Sequence, residues 1–448
     1  SMATIPEFVK NLLCTLESAG HQAWCVGGCV RDLRLGRTPV DWDVTSSALP
    51  EETMALFGER AVPTGLKHGT VTVRTEDQPV EVTTFRKDGA YRDHRRPETV
   101  TFTDSLEEDL RRRDFTVNAM ALDLRGTFRD PFGGLGDLER GILRCVGEPE
   151  RRFHEDALRI LRGLRFSACL GFVLEEKTAS AIREKKELLR DIAPERVWAE
   201  LSRLLTGRWA DEVLRAYPEV VGVFWPDLLP MIGFDQRTRH HCYDVWEHTL
   251  HALAAVEPDV VLRCTMLLHD VGKPETFTLD ARGHGHFKGH PARSAALAED
   301  MLRRLRVDNA TRETVVRLVE WHDRNIPRTD QGLRRALRDL GEADLRRLLA
   351  VKRADNQAQA HQDLLGEIDK AEAILDRLLA EGACVSLGQL AVRGGDLAAL
   401  GLRGPAIGRM LDLLLDRVVD GDVPNEREIL LKTAAGLFPC LSASFGQE

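Results

Sequence analysis

Val26-Gly-Gly-Cys-Val-Arg-Asp-Leu-Arg-Leu-Gly36, followed after four residues by Asp41-Trp-Asp-Val44, joins an apolar run, a glycine turn, a charged helix start and a pair of acids. Ala23 to Val26 reads as a short strand that breaks at Gly27-Gly28, where missing side chains let the backbone approach phosphates closely. Arg31 and Asp32 follow at the start of a short helix expected over Val30–Leu35, whose N-terminus favours anions. Asp41 and Asp43 stand two apart on an expected second strand, so both carboxylates leave one face while Trp42 turns inward. Two hard oxygen ligands side by side suit Mg²⁺ carrying phosphates. Two such ions can activate a hydroxyl and neutralise a leaving pyrophosphate. Asp-x-Asp by itself often marks only a solvated strand edge, and Gly-Gly by itself only a tight turn, so their conjunction carries the weight.

Upstream, residues 5–20 are an expected amphipathic helix. Pro6 suits its first turn, Phe8, Val9, Leu12, Leu13 and Leu16 form one face, and Gly20 suits its stop. Downstream, a helix near Glu51–Phe57 precedes strands expected at Thr70–Arg74 and Val80–Phe85, with Glu76–Pro79 as their turn. Glu81 alternates with apolar neighbours; it reads equally as a third carboxylate for the acidic face or as an exposed strand residue. Past residue 146 the pattern is nearly all helical to Leu437, broken by Pro226, Pro230, Pro258 and Gly404-Pro405. An α+β head with a mixed sheet, followed by an all-helical body, is the expected fold.

The 448 residues allow two to four domains, and 43% hydrophobic with 30% charged content is that of a globular protein. No apolar run is long enough for a bilayer span, and the N-terminus lacks a signal-peptide layout, so the cytoplasm is the expected compartment. The nine scattered Cys read as reduced and mostly buried thiols. A net charge of -9 argues against a nonspecific nucleic-acid coat, although residues 144–208 swing basic, with 14 Lys/Arg against 11 Asp/Glu.

Arg152 to Ala168 reads as one helix with Arg152, Glu155, Asp156, Arg159 and Arg162 on a polar arc. Spacing alone makes this a salt-bridged surface face, with Glu155 and Arg159 as an i, i+4 pair. Base chemistry supplies another use. Cytosine and adenine each present an amino donor beside a ring-nitrogen acceptor, whereas uracil and guanine present the reverse. A carboxylate beside an Arg therefore accepts C and A and rejects U and G. Each mismatch would leave buried polar groups unsatisfied, at roughly 1–3 kcal/mol apiece.

Together these stretches resemble the class II tRNA nucleotidyltransferases and bacterial poly(A) polymerases. The glycine turn and acidic pair match that family's opening motif. Arg111-Arg-Arg-Asp-Phe-Thr-Val-Asn-Ala-Met120 resembles its ribose-reading motif, Asp130-Pro-Phe-Gly-Gly-Leu-Gly-Asp-Leu138 its hinge, and Glu155-Asp-Ala-Leu-Arg159 its base-reading motif, in the same order. Glu195-Arg196 and Glu200 resemble the motif after it. The resemblance implies a polymerase-beta-like nucleotidyltransferase head over residues 1–146, then a base-recognising and RNA-binding neck over 147–210. It implies Asp41 and Asp43, with Glu81, as holders of two catalytic Mg²⁺ ions. Gly27, Gly28, Arg31, Asp32, Arg113, Asp114 and Asn118 would contact nucleotide, and Asp156, Arg159 and Arg162 would choose the base. Phe85 to Phe102 resembles the family's flexible loop, with Arg86, Asp88, Tyr91, Asp93, Arg95 and Arg96 where that pattern wants them. Its full length favours addition of the terminal A.

Nine of the fourteen His lie between His240 and His322. His248, His269-Asp270, His290, His322 and Asp355 resemble the ordered set of an HD-superfamily domain, here placed over 211–370. That implies a divalent transition metal, to which imidazole and carboxylate are suited, and a phosphohydrolase activity or a scaffold. Residues 371–448 would form a helical tail. The reading implied is CCA addition to the tRNA 3′ end from CTP and ATP by a monomer without membrane contact. A poly(A) polymerase, and an enzyme adding only A after a partner adds CC, are the alternatives. A phosphohydrolase whose head merely binds RNA is the alternative from another class.

Overall fold

Gly27 adopts φ 78° and ψ -141°, a backbone conformation that L side chains rarely reach, and so turns the chain sharply from strand into helix. The computed structural model describes residues 4–88, 100–239, 241–360 and 362–445. In the head, α1 (Glu7–Ser18) buries Phe8, Val9, Leu12, Leu13 and Leu16, the apolar face read from the sequence. Then come β1 (Ala23–Val26), α2 (Gly28–Arg34), β2 (Asp43–Ser46) and α3 (Pro50–Phe57). After them run β3 (Ala61–Gly65), β4 (Thr70–Val73), β5 (Val80–Thr84), β6 (Arg86–Asp88) and β7 (Val100–Phe102). The head closes with α4 (Leu106–Arg111), β8 (Ala121–Leu122), β9 (Phe128–Arg129) and α5 (Gly134–Arg140).

Seven strands form one sheet in the order β3-β4-β5-β2-β1-β8-β9. Only the β2–β5 pair in it is parallel, and it aligns Asp43 with Glu81 and Val44 with Val82. β6 and β7 pair separately, at the foot of the segment read as a flexible loop. Trp24, Val26, Phe85, Leu110, Ala119, Ala121 and Val146 pack into one apolar cluster of the head. Phe85 and Leu110 are fully buried there, and each such side chain contributes about 1.5–3 kcal/mol.

Two expectations are corrected. The second strand starts at Asp43, so Asp41 precedes it in a bend, although the exposed–buried alternation runs from Asp41 through Val44. The residues expected to form one helix form two, α6 (Pro149–Glu155) and α7 (Leu158–Leu170). Asp156 is extended at φ -146° and ψ 100°, and its Oδ1 accepts from the Leu158 N–H at 3.2 Å. Its short side chain competes with the backbone for the Leu158 N–H, and so ends the first helix. Next come α8 (Glu176–Lys185) and α9 (Pro194–Leu205), whose buried face is Val197, Glu200, Leu201, Leu204 and Leu205.

The chain divides into two compact units, Ser1–Leu229 with Met301–Val307, and Pro230–Asp300 with Asp308–Glu448. The second is helical apart from a two-residue hairpin pairing Thr278–Leu279 with Gly285–His286. Its apolar clusters gather Leu318, Leu337, Leu345, Leu349, Ile368 and Leu375 in one place, and Leu397, Met410, Leu414 and Leu430 in another. Cys25, Cys29, Cys145 and Cys264 are buried, whereas Cys14, Cys169 and Cys242 are exposed free thiols. Among the described residues no helix is long and apolar enough to cross a membrane.

Candidate active site and a histidine–aspartate centre

A cleft of about 950 Å³ opens in the first unit. The glycine turn lines it with Gly27, Gly28, Arg31 and Asp32, the sheet with Asp43 and Glu81, the bend before β2 with Asp41, and α7 with Arg159 and Arg162. Arg113, Asp114, Asn118 and Asp156 line it too, and so do Arg86 and Asp88 from the foot of the β6–β7 pair. Tyr91, Asp93, Arg95 and Arg96 lie outside the described residues.

The acids concentrate negative charge on one wall. Water is partly stripped from Asp43, which raises its pKa; Arg113 opposes the rise, while Glu81 and Asp41 add to it. Such mutual repulsion among oxygen donors is what a divalent cation relieves, so the residues fit a hard ion.

Asp109 ties together Arg86, Arg112 and Arg113, which line the cleft. This carboxylate on α4 is fully buried; its Oδ2 accepts from Thr45 Oγ1 at 2.9 Å and from Arg113 at 3.3 Å. Its Oδ1 accepts from the Arg86 N–H at 3.1 Å and from Arg112 at 3.2 and 3.3 Å. Burial alone would raise its pKa, but Arg112 and Arg113 outweigh that and hold it below the ordinary value. Arg113 Nη1 lies where it would meet a Cβ on Gly27 at 3.7 Å, so the turn and the arginine share one narrow space.

Asp114 anchors a second network. Arg162 donates to its Oδ2 at 2.7 and 2.8 Å, and Asn118 Nδ2 donates to its Oδ1 at 3.2 Å. Asn118 Oδ1 accepts from Arg31 at 2.7 Å. Burial would raise the Asp114 pKa, yet Arg162 and these hydrogen bonds hold it well below the carboxylate range. Arg159 donates through Nη2 to the Arg112 carbonyl at 2.8 Å, which fixes its plane. Its buried Nη1 has no hydrogen-bond partner among the described residues and lies 3.8 Å from Glu155. Arg152 donates to the Arg112 and Arg113 carbonyls at 2.7 and 2.9 Å, tying α6 to the same loop.

Sequence reading passed over Asp109, Arg165 and Phe166. Asp109 looks like half of a surface i, i+3 or i, i+4 pair, and Phe166 like an ordinary core position. For Arg165 and Phe166, their spacing on α7 with Arg162 was the signal available.

The second unit gathers the histidines. Asp355 Oδ1 lies 2.7 Å from His248 Nε2 and 3.0 Å from His269 Nε2. Asp270 Oδ2 faces the same two nitrogens at 3.5 and 3.2 Å, while its Oδ1 faces His290 and His322 Nε2 at 3.3 and 3.5 Å. These residues form two groups able to hold an ion, and Asp270 belongs to both. The Nδ1 atoms of His248, His269, His290 and His322 face backbone carbonyls of Ala358, Met266, Phe287 and Val319. A carbonyl only accepts, so each Nδ1 donates its proton outward and each Nε2 faces the carboxylates. Between such a nitrogen and a carboxylate a proton or a metal ion must lie. Burial would lower the His269 pKa, but Asp270 and Asp355 outweigh it and hold a proton there up to about 10. Buried Asp270 Oδ2 has no hydrogen-bond partner among the described residues. A metal fits where that proton now balances the charge.

Fold and cleft define a nucleotidyltransferase of the poly(A) polymerase head class. The family described as Poly A polymerase head domain matches residues 23–144. That described as Probable RNA and SrmB- binding site of polymerase A matches 171–217, and tRNA nucleotidyltransferase domain 2 putative matches 292–434. The CCA-adding enzyme of Limosilactobacillus fermentum is 34% identical over 436 residues, 96% of this chain and 97% of that one. The alignment with the CCA-adding enzyme of Lactobacillus helveticus reaches 51% identity but spans only 45% of this chain and 50% of that relative. The crystal structure of the Bacillus stearothermophilus CCA-adding enzyme in complex with CTP is 31% identical, with a TM-score of 0.71 over 98% of this chain and 100% of that one. The chain belongs to the CCA-adding enzyme family.

Proposed function

We propose that this enzyme adds C, C and A to the 3′ end of tRNA from CTP and ATP, releasing pyrophosphate at each step. The observation carrying this reading is the gathering, in one cleft, of Asp43 and Glu81 from the sheet, Asp41 from the bend before it, and Asp156 and Arg159 from the neck. Asp41 and Asp43, beside Glu81, would hold divalent ions, and their oxygen donors suit Mg²⁺. Bound there, such ions would activate the 3′-hydroxyl and neutralise the departing pyrophosphate.

The chain's own residues orient the reactants. As the RNA 3′-oxygen bonds to the α-phosphorus, the bond to the β-phosphate breaks and pyrophosphate leaves. The Gly27-Gly28 turn gives the triphosphate room against the backbone, and Arg31 and Arg113 supply positive charge beside it. Asp156 would accept from the exocyclic amino group of C or A. Arg159, its plane fixed by the Arg112 carbonyl, would donate its unpartnered Nη1 to the ring nitrogen. Uracil and guanine meet donor against donor there and are refused.

Similarity to CCA-adding enzymes along nearly the whole chain supports CCA addition over poly(A) synthesis. Three tRNAs, ending before CCA, after C and after CC, are supplied with all four nucleoside triphosphates and their products sequenced. Every product should end in CCA without U or G. Runs of A with CTP ignored would mark a poly(A) polymerase, and extension of only the CC-ending tRNA an A-adding enzyme.

The histidine–aspartate centre supports a second reading, a transition-metal site. Two histidines and two aspartates make its first group, and Asp270, His290 and His322 its second. The adjoining cavity of about 400 Å³ carries the exposed Lys288, which suits a phosphate ester, while the buried Lys273 is paired with Asp270 and Gln236.

A further inference from the structure

Phe166 is the point on which three arginines of the cleft converge. The Arg165 guanidinium carbon lies 4.4 Å from its ring centroid, that of Arg162 5.3 Å and that of Arg31 5.4 Å. The ring is nearly buried, borders the cleft and is braced by Phe115, edge-on at 83° and 5.9 Å between centroids. These groups come from three distant stretches: the helix after the glycine turn, the Arg-Arg-Asp-Phe run and α7.

We propose that Phe166 is a positioning residue for the incoming triphosphate, its ring holding Arg31, Arg162 and Arg165 at the spacing with which they grip phosphate oxygens. Three like charges gathered round one point repel and need restraint. Asn118 and Asp32 hold Arg31, Asp114 and Glu200 hold Arg162, and Glu200 holds Arg165, through hydrogen bonds or ion pairs that leave part of each guanidinium's five N–H groups unused. An aromatic quadrupole attracts a guanidinium without occupying any of its five N–H donors. Stacking on Phe166 therefore fixes the cations while leaving their remaining donors for a ligand, which another carboxylate would not do. Leucine keeps most of the volume and the apolar contact but offers no quadrupole.

The inference rests on the reading of this cleft as the nucleotide site, and binding tests it independently of turnover. Affinities for tripolyphosphate, for CTP and for tRNA lacking CCA are measured by calorimetry on the wild type, Phe166→Leu and Phe166→Tyr, with the thermal midpoint of each. Phe166→Leu should weaken tripolyphosphate and CTP roughly tenfold, as loss of ring–cation attraction implies. Its tRNA affinity should stay within about twofold, and Phe166→Tyr should bind like the wild type. Unchanged tripolyphosphate affinity in Phe166→Leu, an equal loss in Phe166→Tyr, or a loss confined to tRNA would overturn the assignment. Failure of the wild type to transfer nucleotides would sink the reading of the reaction instead, and the tripolyphosphate affinities would still decide the role of Phe166.

Discussion

Asp270 gives one oxygen to each of two histidine groups, so a single residue joins both halves of the second centre. Removing it should strip metal from both, whereas removing Asp355 should empty only the group built on His248 and His269. Elemental analysis after dialysis of the intact protein against Mn²⁺ checks this. Metal content in Asp270→Ala equal to the wild type would contradict the bridging role. Protons compete for the same lone pairs: with a proton on His269 held up to about 10, affinity should rise with pH across the neutral range. The His-Asp pair was legible from order and resemblance. That Asp270 is shared was not, because only tertiary folding brings His290 and His322 to its other oxygen.

Helix α4 is six residues long, yet Asp109 on it holds together Thr45, Arg86, Arg112 and Arg113. Asp109→Asn would leave two shielded guanidiniums without their counter-charge, and breaking a buried pair in this way costs about 3–5 kcal/mol. Urea unfolding at neutral pH should show that loss; a difference below about 1 kcal/mol would refute the clamp. The sign with pH follows from the lowered pKa. Asp109 is depressed below the unfolded value of about 3.9, so its stabilisation is complete above that pH and disappears as pH falls through the folded value. The difference between the two proteins should therefore shrink in acid.

Sequence periodicity could not reveal this element. The last acid of Glu107-Glu108-Asp109, three and four residues before arginines, looks like a solvated pair, and only packing against Thr45 and Arg86 makes it buried. The break between α6 and α7 escaped for a related reason: helical periodicity continues across Asp156, while the side-chain bond to the Leu158 N–H interrupts it. By contrast the face of α1 and the strand Ala23–Val26 were readable, since local apolar spacing alone determines them.

In the whole molecule the carboxylates of Asp41, Asp43 and Glu81 line the cleft of the first unit, whereas imidazole and carboxylate gather into candidate ion sites in the second. Alternation along Asp41–Val44 made the first centre readable early, but the facing of Asp43 and Glu81 needed the parallel β2–β5 register, which no local pattern encodes. Nucleotide transfer should belong to the first unit's acids alone. The direct measurement compares extension of tRNA lacking CCA by the wild type, by Asp41→Ala/Asp43→Ala and by Asp270→Ala, each as the full chain. The head double variant should lose at least roughly a thousandfold in rate, in keeping with the removal of metal-borne charge stabilisation, while Asp270→Ala extends tRNA normally. Extension by Asp41→Ala/Asp43→Ala at the wild-type rate would refute the assignment of the head acids.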